Sequence, residues 1–251
     1  MAGATLGRKV RALITGASRG IGAATARRLA GPGVELALHF HEHRAEAENV
    51  QSEVVARGAS AFLVPGNLED PDETHGVSEA VRSEWDTLDA LVLNAGAYPR
   101  APFEEISEAQ FEACVRLNLL SPAQLVRELL PSMRRAASGR IVLVSSVLAV
   151  TGSAHGAHYA AAKAGLLGLG RSLARELAPA ITVNVVAPGS IDTAILAGDS
   201  AGQRAERHRT IPLGRLGTPE EVASSIAFLL GPEAAYITGT TVHVNGGVYL
   251  S

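Results

Sequence analysis

The sequence contains little cysteine, few aromatic residues and no excess of charge of one sign. Cys114 is the single cysteine among 251 residues, so no disulfide can form within the chain. Phe, Trp and Tyr supply 4% of the residues, and 22 Lys and Arg stand against 25 Asp and Glu, for a formal net charge of −3. A near-neutral chain without a long basic run argues against nucleic acid or an anionic membrane surface as its partner.

Long apolar stretches are also missing. No segment reaches the roughly 18 uninterrupted apolar residues of a transmembrane helix, and residues 1–18 lack an apolar stretch ahead of a small-residue cleavage site. We therefore expect a cytoplasmic protein. Apolar residues make up 47% of the chain, which suffices for a large core and excludes a disordered chain. No linker or repeat divides the sequence, so we expect one domain over residues 1–251.

Short β-branched or leucine-rich runs alternate with longer segments of helical spacing. This alternation predicts an α/β, doubly wound fold in which helices flank both faces of a seven-stranded parallel sheet. Residues 190–217, rich in glycine, small and charged residues, interrupt the alternation and predict a long insertion that serves as a substrate lid. The predicted strands are Val10–Thr15, Val34–His39, Ala61–Pro65, Leu88–Leu93, Ile141–Ser145, Ile181–Val186 and Thr241–Val244. The predicted helices are Ile21–Leu29, Arg44–Arg57, Asp72–Trp85, Ser107–Arg135, His158–Leu177 and Pro219–Leu230.

The first predicted strand leads into a glycine-rich turn, TGASRGIG at residues 15–22, which opens the first helix. Glycines permit a tight turn, and the free N–H groups and positive dipole end of the helix attract a pyrophosphate. Three glycines alone would equally suit a plain strand–helix turn. Their position after the first strand favours a Rossmann-type dinucleotide site. Asn94-Ala95-Gly96 follows the fourth strand at the same edge of the sheet, and its small side chains leave room for the cofactor.

Tyr159 and Lys163 lie four residues apart, on one face of the fifth predicted helix. A tyrosine has a pKa near 10. A neighbouring ammonium lowers the pKa of the phenol, which suits proton transfer to or from a carbonyl or alcohol oxygen. Ser146 stands near the end of the fifth strand, where its hydroxyl would hydrogen-bond the same oxygen. An isolated pair of this spacing is usually a surface pair, but the ordered set of motifs favours catalysis.

Together these motifs resemble the short-chain dehydrogenase/reductase family, most of all its 3-oxoacyl-acyl-carrier-protein reductases. The resemblance covers nearly the whole chain. It implies NADP(H)-dependent hydride transfer between the nicotinamide and a carbonyl or secondary alcohol, with a 3-oxoacyl thioester as the expected substrate. Another small ketone or alcohol is the alternative. It also implies a homotetramer and no metal. The matching segments are TGASRGIG at 15–22, NAG at 94–96, SSV at 145–147, YAAAK at 159–163, APG at 187–189, PLGRLGTPEEVA at 212–223 and YITGTTVHVNGG at 236–247.

The resemblance also implies a role for individual residues. Tyr159 would be the acid–base, Lys163 would hold the nicotinamide ribose, and Ser146 rather than Ser145 would orient the substrate. Asn118 would anchor a proton-relay water, although from its position alone it would be a polar residue at a helix kink near Pro122. Besides Tyr159 and Lys163, the implied cofactor contacts are Gly16, Ser18, Arg19, Gly20, Ile21, Gly22, Asn67, Leu68, Asn94, Ala95, Gly96, Pro188, Gly189, Ile191 and Thr193.

The end of the second strand bears on the choice between NADP and NAD. NAD-selective relatives usually carry there an acid that binds the ribose 2′-hydroxyl, whereas this sequence has Phe40. Arg19 and Arg44, aided by His41 or His43, would supply positive charge to a 2′-phosphate. Glu42 opposes them. We therefore predict a preference for NADPH over NADH.

Three other interpretations are possible for parts of the sequence. Residues 198–202 spell G-x-S-x-G, but the nucleophile elbow of hydrolases needs a strand immediately before its serine, here Ser200. His39, His41 and His43 alternate and would suit zinc, although a strand end beside the adenosine ribose is favoured. A cofactor-sensing protein without turnover would use the same fold, but a sensor has no need of an acid–base tyrosine.

Basic residues in the sequence bear on whether the substrate is bound to a carrier protein. An acidic carrier protein docks on basic residues, and Arg134 and Arg135 would serve either that purpose or the helix dipole. Relatives that use a carrier often have a basic residue before the sixth strand, where this chain has Ala178-Pro179-Ala180. We therefore expect reduction of small β-ketoesters or acyl thioesters, with only moderate preference for a carrier-bound substrate.

Overall fold

The computed structural model describes residues 9–196 and 200–250. Within this part of the chain, seven parallel strands form one sheet in the order β3-β2-β1-β4-β5-β6-β7. The chain runs outward from β1 to β3, then returns to the centre and continues from β4 to β7, which confirms the predicted doubly wound fold. The strands are β1 Val10–Ile14, β2 Val34–Phe40, β3 Ser60–Pro65, β4 Ala90–Leu93, β5 Gly139–Val144, β6 Ile181–Pro188 and β7 Thr241–Val244.

Helices connect the strands and cover both faces of the sheet. All six predicted helical regions are helical, with ends that differ by a few residues. The helices are α1 Gly20–Leu29, α2 Arg44–Ala56, α3 Pro71–Glu84, α4 Glu108–Val115, α5 Ser121–Arg134, α6 Leu148–Thr151, α7 Ala157–Leu177, α8 Ala201–Thr210 and α9 Pro219–Leu230, with a π-helical segment at Arg116–Leu120.

The apolar core has two parts, one on each face of the sheet. Successive residues of a strand point to opposite faces of the sheet. In β1, Ile14 therefore packs with α1 and α9, while Leu13 packs with α3 and α5. Both side chains are fully buried. Burial on both faces explains why the strands are continuous apolar runs rather than alternating ones.

The predicted single helix Ser107–Arg135 is wrong in its middle. Ser107 and Gln110 form a capping box that starts α4, but the helix widens into the π-helical segment before α5 begins. Pro122 lacks the N–H that would bond to the carbonyl of Asn118, so the regular hydrogen-bond ladder is interrupted at that point. The interruption places Asn118 inside the fold, where it is fully buried.

The insertion predicted over residues 190–217 contains a helix that the sequence did not reveal. Ser200 and Gln203 form a capping box that starts α8, and the side chains described along this helix are mostly exposed. A short polar helix has no apolar spacing by which a sequence would reveal it. Residues 197–199 of the insertion lie outside the described residues. Among the helices that the structure describes, none combines the length and the apolar character needed to cross a membrane.

Candidate active site

A cavity of about 580 Å³ opens at the carboxyl edge of the sheet, where the turns that follow β1 to β6 meet. Most of the residues that the sequence nominated surround it. Gly22, Arg44 and Asn118 are nominated residues outside the lining. The nominated residues that line the cavity are Gly16, Ser18, Arg19, Gly20, Ile21, His41, Asn67, Leu68, Asn94, Ala95, Gly96, Ser146, Tyr159, Lys163, Pro188, Gly189, Ile191 and Thr193.

The glycine loop has the geometry that a close approach of backbone to ligand requires. Gly16 has a φ of +64°, a conformation that glycine adopts without strain. A methyl group at Gly22 would lie 2.1 Å from the Gly16 carbonyl oxygen, so only glycine fits there. The extended N-cap residue Arg19 makes no side-chain cap to α1. The first N–H groups of α1 therefore lack a side-chain cap beside the cavity.

Asn94 holds the glycine loop against β4. Its Nδ2 donates to the carbonyl oxygens of Thr15 at 3.0 Å and Gly16 at 3.2 Å. The Thr15 hydroxyl in turn accepts from the backbone N–H groups of Asn94 and Ala95. These four bonds fix the two turns relative to each other, so Asn94 contributes to the cavity by positioning its wall.

His39, which the sequence associated with an alternating histidine set, is instead part of the same framework. Its Nδ1 accepts from the Gly16 N–H at 3.1 Å, and its Nε2 bonds to the Gly66 carbonyl oxygen at 3.0 Å. Because a carbonyl only accepts, Nε2 carries the proton and the ring is neutral. Burial lowers the pKa of His39 to about 4. Among the residues that the structure describes, no group of three His, Cys, Asp or Glu side chains is placed to hold a metal.

The charged residues proposed for the 2′-phosphate lie in two places. Arg19, His41 and His43 line the cavity together with Glu42. Arg44 lies behind them, with its guanidinium 5.4 Å above the Phe40 ring and 3.3 Å from Glu48. The positive charge that faces the cavity at this corner therefore comes from Arg19, with the two histidines beside it.

Ser146 and Tyr159 meet at the far end of the cavity, where the Ser146 hydroxyl lowers the pKa of the Tyr159 phenol. The Ser145 hydroxyl points the other way and donates to the Lys163 carbonyl oxygen at 2.8 Å, which ties β5 to α7. Burial raises the pKa of Tyr159 to about 12, against the opposing effect of the neighbouring Ser146 hydroxyl. Tyr159 is therefore held as a neutral phenol at physiological pH.

Lys163 is buried one helical turn beyond Tyr159. Its Nζ donates to the Val144 carbonyl oxygen at 2.9 Å and lies 5.7 Å from the centre of the Tyr159 ring. Burial lowers the pKa of Lys163 to about 8. The expected lowering of the tyrosine pKa by this ammonium is absent in the folded chain itself, where desolvation of the phenol is the largest cause of the shift.

Asn118 contacts the other side of the same region. Its Nδ2 donates to the Cys114 carbonyl oxygen at 2.9 Å and to the Ala97 carbonyl oxygen at 3.1 Å, which stabilises the interrupted helix. Its Oδ1 is buried and accepts no hydrogen bond from the residues that the structure describes. A methyl group at Gly96 would lie 2.6 Å from this oxygen and 3.2 Å from Lys163 Nζ. The structural and the functional interpretations of Asn118 are therefore compatible.

Two of the remaining sequence features do not belong to this site. Ser200 accepts from the Gln203 N–H at 3.2 Å as the N-cap of α8, and β6 ends far before it, at Pro188. Arg134 and Arg135 end α5 just before β5 begins, so they lie at the amino edge of the sheet, opposite the cavity. Arg135 also donates to the Asp86 carbonyl oxygen at 2.9 Å. Of the two interpretations left open for these arginines, their position favours the helix dipole over docking at the cavity mouth.

Comparison with known proteins assigns the chain to a family. A family model described as enoyl-(acyl carrier protein) reductase matches residues 16–249. The 3-oxoacyl-[acyl-carrier-protein] reductase FabG of Escherichia coli (strain K12) is 42% identical over 241 residues, which is 95% of this chain and 97% of that protein. The chain belongs to the short-chain dehydrogenase/reductase family.

Solved structures of short-chain dehydrogenase/reductase relatives have the same fold over nearly the whole chain. The angucycline C-6 ketoreductase LanV with bound NADP has a TM-score of 0.90 and 31% identity, and covers 96% of each chain. A short-chain dehydrogenase from Burkholderia cenocepacia J2315 in complex with NADP has a TM-score of 0.90 and 33% identity, over 96% of this chain and 98% of that one. The resemblance inferred from the motifs is confirmed.

Sequence reasoning missed several cavity residues of this short-chain dehydrogenase/reductase. His39 was named only as one of three alternating histidines, and its bond to Gly16 carries no local signal because Gly16 follows β1 whereas His39 lies in β2. Tyr98 stands two residues after the Asn94–Gly96 motif. The chain has only four tyrosines, so a tyrosine next to a cofactor motif was the available clue. Leu196 and Arg207 reach the cavity from the insertion, whose helix the sequence did not reveal.

Proposed function

We propose that this chain is an NADP(H)-dependent oxidoreductase that interconverts a carbonyl and a secondary alcohol, with 3-oxoacyl thioesters as its substrate class. The observation that carries this proposal is that Ser146 and Tyr159 line one cavity together, with buried Lys163 one turn further along α7 and the glycine loop at the border of the same cavity. The similarity to proteins named as 3-oxoacyl-[acyl-carrier-protein] reductases supports the substrate class.

The residues around the cavity fit a dinucleotide. Gly16, Gly20 and Gly22 leave the backbone open to a pyrophosphate at the N-terminus of α1. Asn67 and Leu68 would flank the adenine, and the turn from Pro188 to Thr193 would hold the nicotinamide amide. Arg19 is exposed at the cavity's rim, and β2 ends in Phe40 rather than an acid. These features support NADP(H) over NAD(H), as do the two relatives solved with NADP.

Tyr159 would act as the general acid in the reductive direction. When bound, NADPH supplies a hydride to the carbonyl carbon. The Tyr159 hydroxyl donates its proton to the carbonyl oxygen, while the Ser146 hydroxyl holds that oxygen by a hydrogen bond. The raised pKa of Tyr159, about 12, keeps the proton available at physiological pH. Oxidation of an alcohol would require the reverse transfer and therefore a lower tyrosine pKa.

Lys163 and Asn118 would complete the site behind the tyrosine. Lys163 would bind the nicotinamide ribose through its ammonium, which is mostly charged at neutral pH with a pKa of about 8. Oδ1 of Asn118, which has no partner among the described residues, offers a buried acceptor, and a water bound there would be placed to resupply the proton. A buried acceptor without a partner is costly, which is consistent with a solvent or ligand partner at this position.

The substrate class is tested by comparing carriers. Acetoacetyl-carrier protein, the matching coenzyme A thioester and a panel of ketones and secondary alcohols are offered with NADPH, and the initial rates are compared. Because Arg134 and Arg135 lie away from the cavity, we expect both thioesters to be reduced, with moderate preference for the carrier-bound one. Turnover of steroid, sugar or other non-acyl substrates alone would reject the acyl class and leave the oxidoreductase assignment intact.

The catalytic role of Tyr159 is tested with Tyr159→Phe. The variant lacks only the hydroxyl, so we expect NADPH to bind with unchanged affinity while kcat falls at least about a hundredfold, the usual contribution of a general acid–base. Retention of activity would remove this tyrosine from the mechanism. Cofactor binding without turnover of any carbonyl by the unaltered protein would instead favour the sensing alternative.

The proposal extends to the assembly and location of the protein. We propose a homotetramer of single-domain chains in the cytoplasm. Large apolar side chains are exposed on two surfaces, with Phe103 and Leu120 near the helices around Asn118 and Tyr236 and Leu250 near the last strand. Such surfaces support association between copies. Sedimentation at micromolar concentration tests the oligomer, and a monomer would contradict it.

A further inference from the structure

Tyr98 is held beside Tyr159 by contacts on several sides. The two ring centres are 4.7 Å apart, and the rings are tilted by 42°. The Tyr98 hydroxyl bonds to the Ser153 hydroxyl at 2.6 Å, and the Arg100 guanidinium lies 5.0 Å from the centre of the ring. The residue lines the cavity. None of these contacts belongs to the catalytic group or to the cofactor residues proposed above, apart from Tyr159 itself.

Gly156 completes the enclosure of the Tyr98 ring. A methyl group on Gly156 would lie 2.3 Å from Cε2 of Tyr98 and 3.2 Å from its Cζ. The φ of Gly156 is −170°, an extended value that any residue adopts, so the backbone conformation does not require glycine here. Glycine is required because the Tyr98 ring lies so close. The segment between α6 and α7 thus holds the ring through Ser153 and packs directly against it at Gly156.

A side chain restrained in this way acts as a fixed wall. Movement of the whole ring about the Cα–Cβ bond would break the Ser153 hydrogen bond and carry the ring away from Tyr159 or into the backbone of Gly156. We infer that Tyr98 is a specificity-determining residue that limits the size of the group attached to the substrate carbonyl next to Tyr159. This inference rests on the proposed function, since the carbonyl oxygen must lie at the Tyr159 hydroxyl. It restricts the substrate class to ketones with a small unbranched group, such as a methyl, on that side.

Two β-ketoesters that differ only at the reacting carbonyl test this wall. Ethyl acetoacetate carries a methyl group there and ethyl benzoylacetate carries a phenyl group. We expect the protein to favour the methyl ketone, and Tyr98→Ala to shift the ratio of the two kcat/KM values towards the phenyl ketone by roughly tenfold or more, the scale on which a pocket wall discriminates hydrocarbon groups. Tyr98→Phe retains the ring and should retain most of the preference.

A second variant tests the wall without altering Tyr98. Gly156→Ala places a methyl group against the ring and should displace it, so the ratio of kcat/KM values should change. Gly168→Ala, in α7 with no atom within 4 Å of the added methyl, is the matched control and should leave the ratio as it is. Circular dichroism and thermal unfolding confirm that each variant is folded.

The outcomes separate this inference from the proposed function. If the protein reduces neither ketoester nor any thioester, the proposed function fails and the wall has no substrate to select. The other outcome is that the protein reduces ethyl acetoacetate but the ratio of the two kcat/KM values stays within about twofold of the original in both Tyr98→Ala and Gly156→Ala. Such a change is well below the discrimination expected of a pocket wall. It would overturn the specificity role of Tyr98 and leave the proposed function intact.

Discussion

The backbone N–H of Gly16 donates to Nδ1 of His39 at 3.1 Å, which joins the glycine loop to the end of the second strand. The acceptor must be unprotonated, and the opposite ring nitrogen is used by the Gly66 carbonyl oxygen. A charged imidazole has two donors and no acceptor. Protonation of His39 would therefore break the bond that fixes the first turn of the cofactor site.

His39 makes stability depend on pH in the acid range. Its pKa falls from 6.5 to about 4 on folding, so between these values the unfolded chain binds more protons than the folded one. The contribution of neutral His39 to the free energy of unfolding is complete above pH 6.5 and is lost as the pH falls towards 4. The loss amounts to up to about 3 kcal/mol. We expect the free energy of unfolding of His39→Gln, measured with urea, to fall less between pH 7 and pH 4.5 than that of the unaltered protein.

The control for this measurement is an exposed histidine. His155→Gln should leave the pH dependence as it is in the unaltered protein, because His155 is exposed. Equal pH dependence in His39→Gln and the unaltered protein would show that His39 is accessible to protons in the folded state.

The affinity for NADPH is expected to fall at alkaline pH. Lys163 has a pKa of about 8, so its ammonium loses its proton as the pH rises through that value, and a neutral amine binds the ribose less well. The KM for NADPH should rise across this range. Lys163→Ala should have a KM higher by roughly ten- to hundredfold, the scale of a lost hydrogen bond to a charged group, with little further change with pH. A KM that stays constant from pH 7 to 9 in the unaltered protein would contradict this role.

Gly96 provides a test of how closely the catalytic side chains are packed. Gly96→Ala would place a methyl group 2.6 Å from Asn118 Oδ1 and 3.2 Å from Lys163 Nζ. Displacement of these groups by about 1 Å would lower kcat roughly a hundredfold. Gly168→Ala serves as the control, since its methyl group is in open space and should add about 0.5–1 kcal/mol of stability. Unchanged kcat in Gly96→Ala would mean that neither group is needed in its observed position.

The sequence predicted the parallel sheet because most of its strands are apolar runs, and the central strands β4 and β6 are buried along their whole length. Runs such as the one at Val10–Ile14 leave no alternative to an interior strand once helices alternate with them. The motif at Asn94–Gly96 was also informative, since Gly96 has to leave room for Asn118 and Lys163. Local composition therefore revealed those parts of the site that depend on backbone and close packing.

The missed features depend on contacts between residues that are distant in sequence. The tyrosine pKa was misjudged because burial of Tyr159, and not the charge of Lys163, dominates it. Charge alone left two roles open for Arg134, carrier docking or the helix dipole, and only its place before β5, at the edge opposite the cavity, distinguishes them. The polar helix α8 escaped detection because an exposed helix needs no apolar face.

The preference for NADPH should depend on Arg19. Its side chain is exposed at the rim of the cavity and carries the charge that would meet a 2′-phosphate. Arg19→Ala should therefore lower kcat/KM for NADPH roughly tenfold or more, the scale of a charge-assisted hydrogen bond, and leave kcat/KM for NADH nearly unchanged. Arg28→Ala, exposed on the same helix, is the control. An equal loss with both cofactors would assign Arg19 to the pyrophosphate instead.

The helix α8 is expected to move over the substrate. Its described side chains are mostly exposed, whereas six residues of α9 are buried, so local opening of α8 should cost far less free energy than opening of α9. Arg207 joins α8 to the cavity, because its Nη1 donates to the Ser190 hydroxyl at 3.0 Å and its side chain lines the cavity. We expect the amide hydrogens of α8 to exchange faster than those of α9, and to slow when NADPH and a substrate analogue are both present. Arg207→Ala should reduce that slowing without altering exchange in α9. Identical exchange of α8 with and without ligands would mean that residues 200–210 form a static wall rather than a lid.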